Sequence, residues 1–268
     1  MTFSPAIQAS GITGWRLLNA TYPRQISAFS NSPLLSREVT YFKDKIGDIQ
    51  GASDLVSDPV LRKVALGAFG LEDDFANTFF IQRILGDGTG SPDALPNRLT
   101  DLRYREFSDA FGLGPNGARN TAQPVLMADI AERYVSQSFA SKVGEQDNDL
   151  RLALNLKTAF PEITDKSTDL DTKWFLIMGN PPLRTVFTTA LGLPSAIGRL
   201  DIDLQLSIFK ESSLDQLGTE NLDEIAETER LGALTDRFLA RSQISNAVSA
   251  GSPASVALTL LQNAQFAF

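Results

Sequence analysis

The sequence predicts an all-α protein, a multi-helix array of roughly ten helices with no significant sheet, and three observations carry that expectation. Apolar residues recur at steps of three and four along most of the chain, the spacing that lines one face of a helix. Period-two alternation bounded by turn residues is scarce. Prolines stand at candidate helix starts and glycines at candidate helix ends, the asymmetry that backbone hydrogen bonding imposes on helix termini.

Residues 1–31 are polar and carry no sustained stripe in this reading, so a poorly structured N-terminal segment is expected. Leu35, Val39, Phe42, Ile46 and Ile49 then share one helical face, with Ser32 and Pro33 at its start. Asp58 precedes Pro59, an N-cap followed by a residue whose missing N–H costs nothing in the first turn. Leu61, Val64, Ala65 and Ala68 form the apolar face of that helix, and Gly70 stands where a left-handed C-terminal cap is wanted. The next helix is expected to start near Glu72 to Asp74, acids suited to the positive end of the helix dipole. It carries Phe75, Phe79, Ile81 and Ile84 and stops at Gly86.

"GDGTGSPDALP" reads as a loop. Helices are expected at about 95–111, 123–143 and 146–159, broken by "GLGPNGARN" and by Pro161. Trp174 to Met178 leads into "GNPP", where Asn180 caps another helix at Pro181. Late helices fall near 198–211 and 221–243, and after "SAGSP" a last one spans Ala254 to Gln265 behind Ser252 and Pro253. The expected division is a first helical half over 32–161, a second over 162–244 and a linker with C-terminal helix over 245–268, or a single compact domain over 32–244.

One unit is written twice. "PVLRKVALGAFGL" and "PPLRTVFTTALGL" align at an offset of 122, the distance from Gly70 to Gly192. At that offset Pro59, Leu61, Arg62, Val64, Ala68 and Leu71 meet Pro181, Leu183, Arg184, Val186, Ala190 and Leu193. Phe75 meets Ile197 and Phe80 meets Ile202, so the following helix shares the plan; "LRYREFSDAFGLG" is a weaker third echo. The duplication reads as a structural helix-turn-helix unit, with Arg62 and Arg184 on helix surfaces. The alternative makes the two arginines a matched anion or partner contact.

Composition narrows the function. An apolar fraction of 43% and a charged fraction of 21% are ordinary for a packed globular chain. A net charge of −8 disfavours nucleic acid and anionic lipid, whose binding needs clustered Lys and Arg. With no Cys and no His, thiolate nucleophiles, imidazole general bases and the commonest transition-metal ligands are missing, and no cofactor is expected. The start lacks the charged and apolar regions of a secretory signal, and no apolar run is long enough to cross a bilayer. A soluble chain that is not Sec-exported is expected.

The remaining motifs favour bland readings. "GDGTG" resembles a phosphate loop but lacks the Gly-Lys-Ser/Thr ending and follows no strand. Asp73 with Asp74 and Asp201 with Asp203 are paired acids that diverge on a helix. Trp174 is a core aromatic first and a contact residue second. "DEIAETERLGALTDRFLARSQI" is an amphipathic surface helix that could also meet a partner, and the chain ends in apolar Phe266, Ala267 and Phe268.

The blocks "GWRLLNAT", "LRKVALGAFGLEDDFANTFFIQRILGDGT", "NRLTDLRYREFSDAFG", "GEQDNDLRLALNLK" and "KWFLIMGNPPLRTVFTTALGLPSAIGRLDIDLQLSIFK" together resemble an alpha-proteobacterial family of unknown function commonly encoded among flagellar genes. The resemblance runs from about Gly14 to Lys210. It implies a flagellum-associated role by gene neighbourhood and brings no catalytic residues. The expected function is therefore a non-enzymatic helical structural or protein-interaction protein, cytoplasmic or exported to the flagellum, with protein partners and with Arg62, Arg184, Asn180 and Trp174 as candidate contacts. One alternative is a carboxylate hydrolase of cell-wall glycan using acids such as Glu72, Glu106, Glu132 and Glu162. Another is a small-ligand or lipid binder with an apolar cavity.

Overall fold

Helical periodicity organises the chain from Gly11 onward in a computed structural model, which describes residues 3–166 and 168–250. Among the described residues there are fourteen α-helices and four 3-10 turns, and no strand. The all-α expectation holds. The helix number exceeds ten because a first helix was not foreseen and several expected helices are divided.

The first thirty residues depart from the expected disorder: Gly11–Ser30 is one helix, α1. Its buried Trp15, Leu18 and Phe29, with half-buried Tyr22 and Ile26, fall at steps of three and four. That stripe is one apolar residue wide per turn, and Pro23 sits inside it, where a local rule expects an end. Ahead of the helix, Phe3 packs on Phe29 and Phe139, with ring centroids 5.0 and 6.1 Å away.

Pro33–Lys45 (α2) follows the predicted stripe, and Ala52–Ser57 (α3) precedes Pro59–Ala68 (α4). The next helix corrects the reading. Glu72–Asp74 forms only a 3-10 turn, Thr78–Asp87 is the helix (α5), and the residue that ends it at positive φ is Gly88 at +65°, not Gly86. Phe75 and Phe79 are consequently exposed. The expected 95–111 helix is two, Leu95–Arg98 (α6) and Arg103–Phe111 (α7).

Pro124–Gly144 (α8) and Asn148–Thr164 (α9) form a central hairpin. Pro161 does not end α9, because the turn beyond it buries Ile163. The division at 161 therefore falls inside a helix. Leu170–Met178 (α10), Pro181–Leu191 (α11) and Ile202–Leu217 (α12) follow, the last running six residues beyond the expected end. The expected 221–243 helix is divided into Leu222–Ala226 (α13) and Thr228–Ala250 (α14), so the linker expected from 245 begins within α14. The helix expected over 254–265 lies outside the described residues. Buried side chains from Trp15 to Leu239 form one continuous core. In it α4 lies against α8, α11 against α9, α2 against α4 and α14 against α11.

The duplicated unit repeats in three dimensions down to single hydrogen bonds. At the start, the Asp58 carboxylate accepts from the Val60 and Leu61 N–H groups at 2.8 and 3.0 Å, and the Asn180 amide oxygen accepts from Leu183 N at 3.2 Å. At the end, Gly70 and Gly192 adopt φ +64° and +72°. The N–H groups that follow them, Leu71 and Leu193, donate to Leu66 and Thr188 carbonyls at 3.0 and 2.9 Å, a Schellman closure in both copies. Leu61, Val64 and Ala68 are buried, as are Leu183, Val186 and Ala190; Leu71 is buried and Leu193 half-buried.

The arginines are equivalent too. Arg62 donates to the Val56 carbonyl at 2.6 Å and Arg184 to the Met178 carbonyl at 3.2 Å, in each case six residues upstream in the last turn of the preceding helix. Arg62 lies over the Phe75 ring at 4.3 Å, and Arg184 reaches Gln205 on α12 at 2.5 Å.

The two caps differ in one chemical respect. Burial pulls the Asp58 carboxyl upward, but the Leu61 N–H, the Tyr41 hydroxyl and the Val60 N–H together hold it below its ordinary value. Its contribution is therefore complete above the carboxylate range and is lost as pH falls through the folded-state value. Asp58→Ala and Asn180→Ala should each cost about 1 kcal/mol at neutral pH. Denaturant titrations repeated at falling pH should show the Asp58 penalty fading below about pH 3.9 while the Asn180 penalty persists. Equal pH dependence for the two would contradict the cap assignment.

Candidate functional site

The central hairpin presents a groove of about 530 Å³ along α8 and α9, walled by the Glu72–Asp74 turn, the start of α7 and the start of α11. The duplicated unit supplies two of these walls, since Gly70 ends one copy at the groove and Asn180 begins the other there. Arg103 ties the first wall down by donating to the Gly70 carbonyl and pairing with Asp101 at 2.7 Å.

Arg133 of α8 is the electrostatic centre of the groove. Its guanidinium stands 3.1 Å from Glu162 of α9 and 3.9 Å from Glu106 of α7, and it lies over the Phe69 ring at 4.6 Å. Lys166 adds a second cation 3.2 Å from Glu106. Three helices are therefore joined by one alternating set of charges. Burial pushes the Glu162 carboxyl up, opposed by Arg133 and Lys166 and assisted by Glu106.

Farther along the groove Gln137 of α8 donates to the Asn155 Oδ1 of α9 at 3.1 Å. Asn155 is 8% exposed and sits in the apolar stripe of its helix among Leu152, Leu156 and Ala159. Arg151, near the hairpin turn, bonds only Asn148 on its own helix among the described residues, at 2.8 and 2.9 Å. A second, more apolar groove of about 620 Å³ is lined by Phe3, Phe29, Leu34, Leu35 and Tyr134, and it is where the ligand or lipid alternative would have to act.

The residues singled out in the sequence are distributed differently from the expectation. Arg62 and Arg184 hold helix ends and do not line the groove. Asn180 lies at the groove edge but uses its side chain as a cap. Trp174 is fully buried, its indole N–H donating to the Glu220 carbonyl at 3.1 Å and its ring edge-on to Phe187 at 5.6 Å, so it is a core residue and not a contact. Of the four candidate acids, Glu106 and Glu162 converge on Arg133, Glu72 lines the groove and Glu132 is exposed outside it.

The paired aspartates serve local structure: Asp74 accepts from Tyr104 and Asn77, and Asp201 caps α12 through the Asp203 N–H at 3.0 Å. In "GDGTG" the first two residues belong to α5, and Gly88 packs on the backbone of Gly114 in "GLGPNGARN". Arg133, Gln137 and Asn155 were missed. Asn155 alone left a local signal, a polar residue inside an apolar stripe. Among the described residues no cluster of three or more acids could hold a metal ion, and no helix is long and apolar enough to cross a membrane. The apolar end at Phe266 to Phe268 lies outside the described residues.

The chain belongs to the family described as protein of unknown function (DUF1217), which matches residues 68–228. It is similar to the X-ray crystal structure of protein AGR_C_984 from Agrobacterium tumefaciens, at 26% identity and a TM-score of 0.72, over 90% of this chain and 99% of that one. No curated protein matches it.

The electrostatics of the groove can be tested directly. Arg133→Met removes the charge that opposes burial at Glu162, so a carboxyl-detected NMR titration should find the Glu162 pKa higher than in the unaltered protein. An unchanged or lowered value would show that Arg133 does not govern that carboxyl.

Proposed function

We propose that this member of the DUF1217 family is a non-enzymatic interaction protein that receives a protein partner along the α8–α9 groove, in a flagellum-associated setting. The observation that carries the reading is the state of the groove's charges. Arg133 and Glu106, which line the groove, pair with Glu162 and Lys166 across three helices, with Arg133 Nε left buried and without a hydrogen-bond partner among the described residues, and this pairing supports a preorganised surface over acid–base chemistry. The flagellar setting rests on the resemblance of the sequence blocks, and the alpha-proteobacterial part of that resemblance agrees with the Agrobacterium structure.

One observation favours the hydrolase instead. A carboxyl raised by burial beside a second acid is what a general acid needs, and Glu162 beside Glu106 has that form. The shared arginine argues against it, because a cation between two acids favours ionisation of both.

A photo-reactive amino acid placed at Thr185 in the groove and, separately, at exposed Lys45 separates these readings. In flagellated cells the groove position should give a discrete adduct containing a flagellar protein, and the Lys45 position should not. Release of soluble fragments from cell-wall glycan by the purified protein, abolished by Glu162→Gln, would overturn the proposal.

A further inference from the structure

We infer that the groove recognises an extended peptide segment by its main chain, at the amide pair Gln137–Asn155; this rests on the reading of the groove as a protein-binding surface. The hydrogen bond between the two amides uses Gln137 Nε2–H and Asn155 Oδ1. It leaves Gln137 Oε1 and the Asn155 Nδ2–H group with no hydrogen-bond partner among the described residues, and both residues line the groove. One free acceptor beside one free donor is the complement of a peptide unit, which offers one N–H and one C=O.

Burial makes the pair demanding. Asn155 is more than nine-tenths buried, so whatever covers the groove removes the water that could satisfy it. A helix laid in the groove has its own main-chain groups bonded internally and could meet the amides only where it happened to carry a matching polar side chain, whereas N-methylation of its main chain would leave that contact untouched. An apolar or lipid ligand would leave the amides unpaired. An extended segment keeps main-chain donors and acceptors free along its edges, which is how peptides are read by strand-like recognition.

The dimensions agree. From Arg133 to Gly144 the groove follows twelve residues of α8, whose helical rise from first to last is roughly 16 Å and therefore room for about five extended residues. Charges of both signs stand along it, since Arg151 on one side and Glu72 and Asp73 on the other have no ion-pair partner among the described residues, so side chains of either charge on the segment find a counterpart.

The test screens the full-length protein against a bead library of randomised hexapeptides with blocked termini, followed by binding measurements on the selected peptides. Selected peptides should lose on the order of 10-fold or more in affinity when one central main-chain N–H is replaced by N-methyl, and a similar factor against Asn155→Leu. Should Asn155→Leu fail to fold, the half-exposed Gln137→Met serves in its place, with circular dichroism and the thermal midpoint as folding controls. Selection of no peptide, equal binding to the variants, or tolerance of N-methylation at every position would each overturn the inference. A cellular adduct at Thr185 without peptide binding would remove this inference alone; peptide binding without any cellular adduct would leave it standing and remove the proposed function.

Discussion

The last carbonyls of a helix have no partner within it, and a short buried helix must find those partners elsewhere. In this protein the duplicated unit meets that constraint twice with the same device. A guanidinium one turn into α4 or α11 reaches back to the closing turn of α3 or α10, so each pair of helices is joined by a charged donor and not only by its connection. Hydrogen bonds to charged groups contribute on the order of 1.5–3 kcal/mol, large beside the stability of a whole domain. With the angle between paired helices fixed, the Ala- and Val-rich faces of α4 and α11 can lie against α8 and α9.

From that arrangement the groove follows. One copy of the unit ends at Gly70 and the other begins at Asn180, and both points border the same stretch of the central hairpin. The left-handed glycine turns α4 away, leaving its carbonyl for Arg103, while the asparagine starts α11 across the opposite side. The ionic set around Arg133 then binds α7, α8 and α9 to one another at the groove's end. A polar trough with cross-bonded walls is the consequence, and walls held before binding reduce the ordering cost of receiving a flexible segment.

Local chemistry was legible in the sequence, and tertiary chemistry was not. Asp58, Asn180, Gly70 and Gly192 act within a few residues of themselves, so cap and stop could be read directly. The offset of 122 pointed to equivalent arginines, but their acceptors are main-chain carbonyls, which leave no mark in a sequence. In α1 the stripe of Trp15, Leu18, Tyr22, Ile26 and Phe29 was too sparse against polar neighbours to register, and burial of Ile163 overrode the local tendency of Pro161 to end a helix. Arg133, Glu106 and Glu162 come from three helices, so their meeting depends on packing.

The clamp is the part of this account on which the rest depends, and native-state hydrogen exchange reads it most directly. With Arg62→Met, amide protection should fall in the turn between α3 and α4 and along the wall of the groove at Gly70, while the second copy keeps its protection. Arg184→Met should give the mirror result at α10, α11 and Asn180. Protection lost evenly throughout the molecule, or not lost at all in either variant, would contradict the view that these two arginines set the frame.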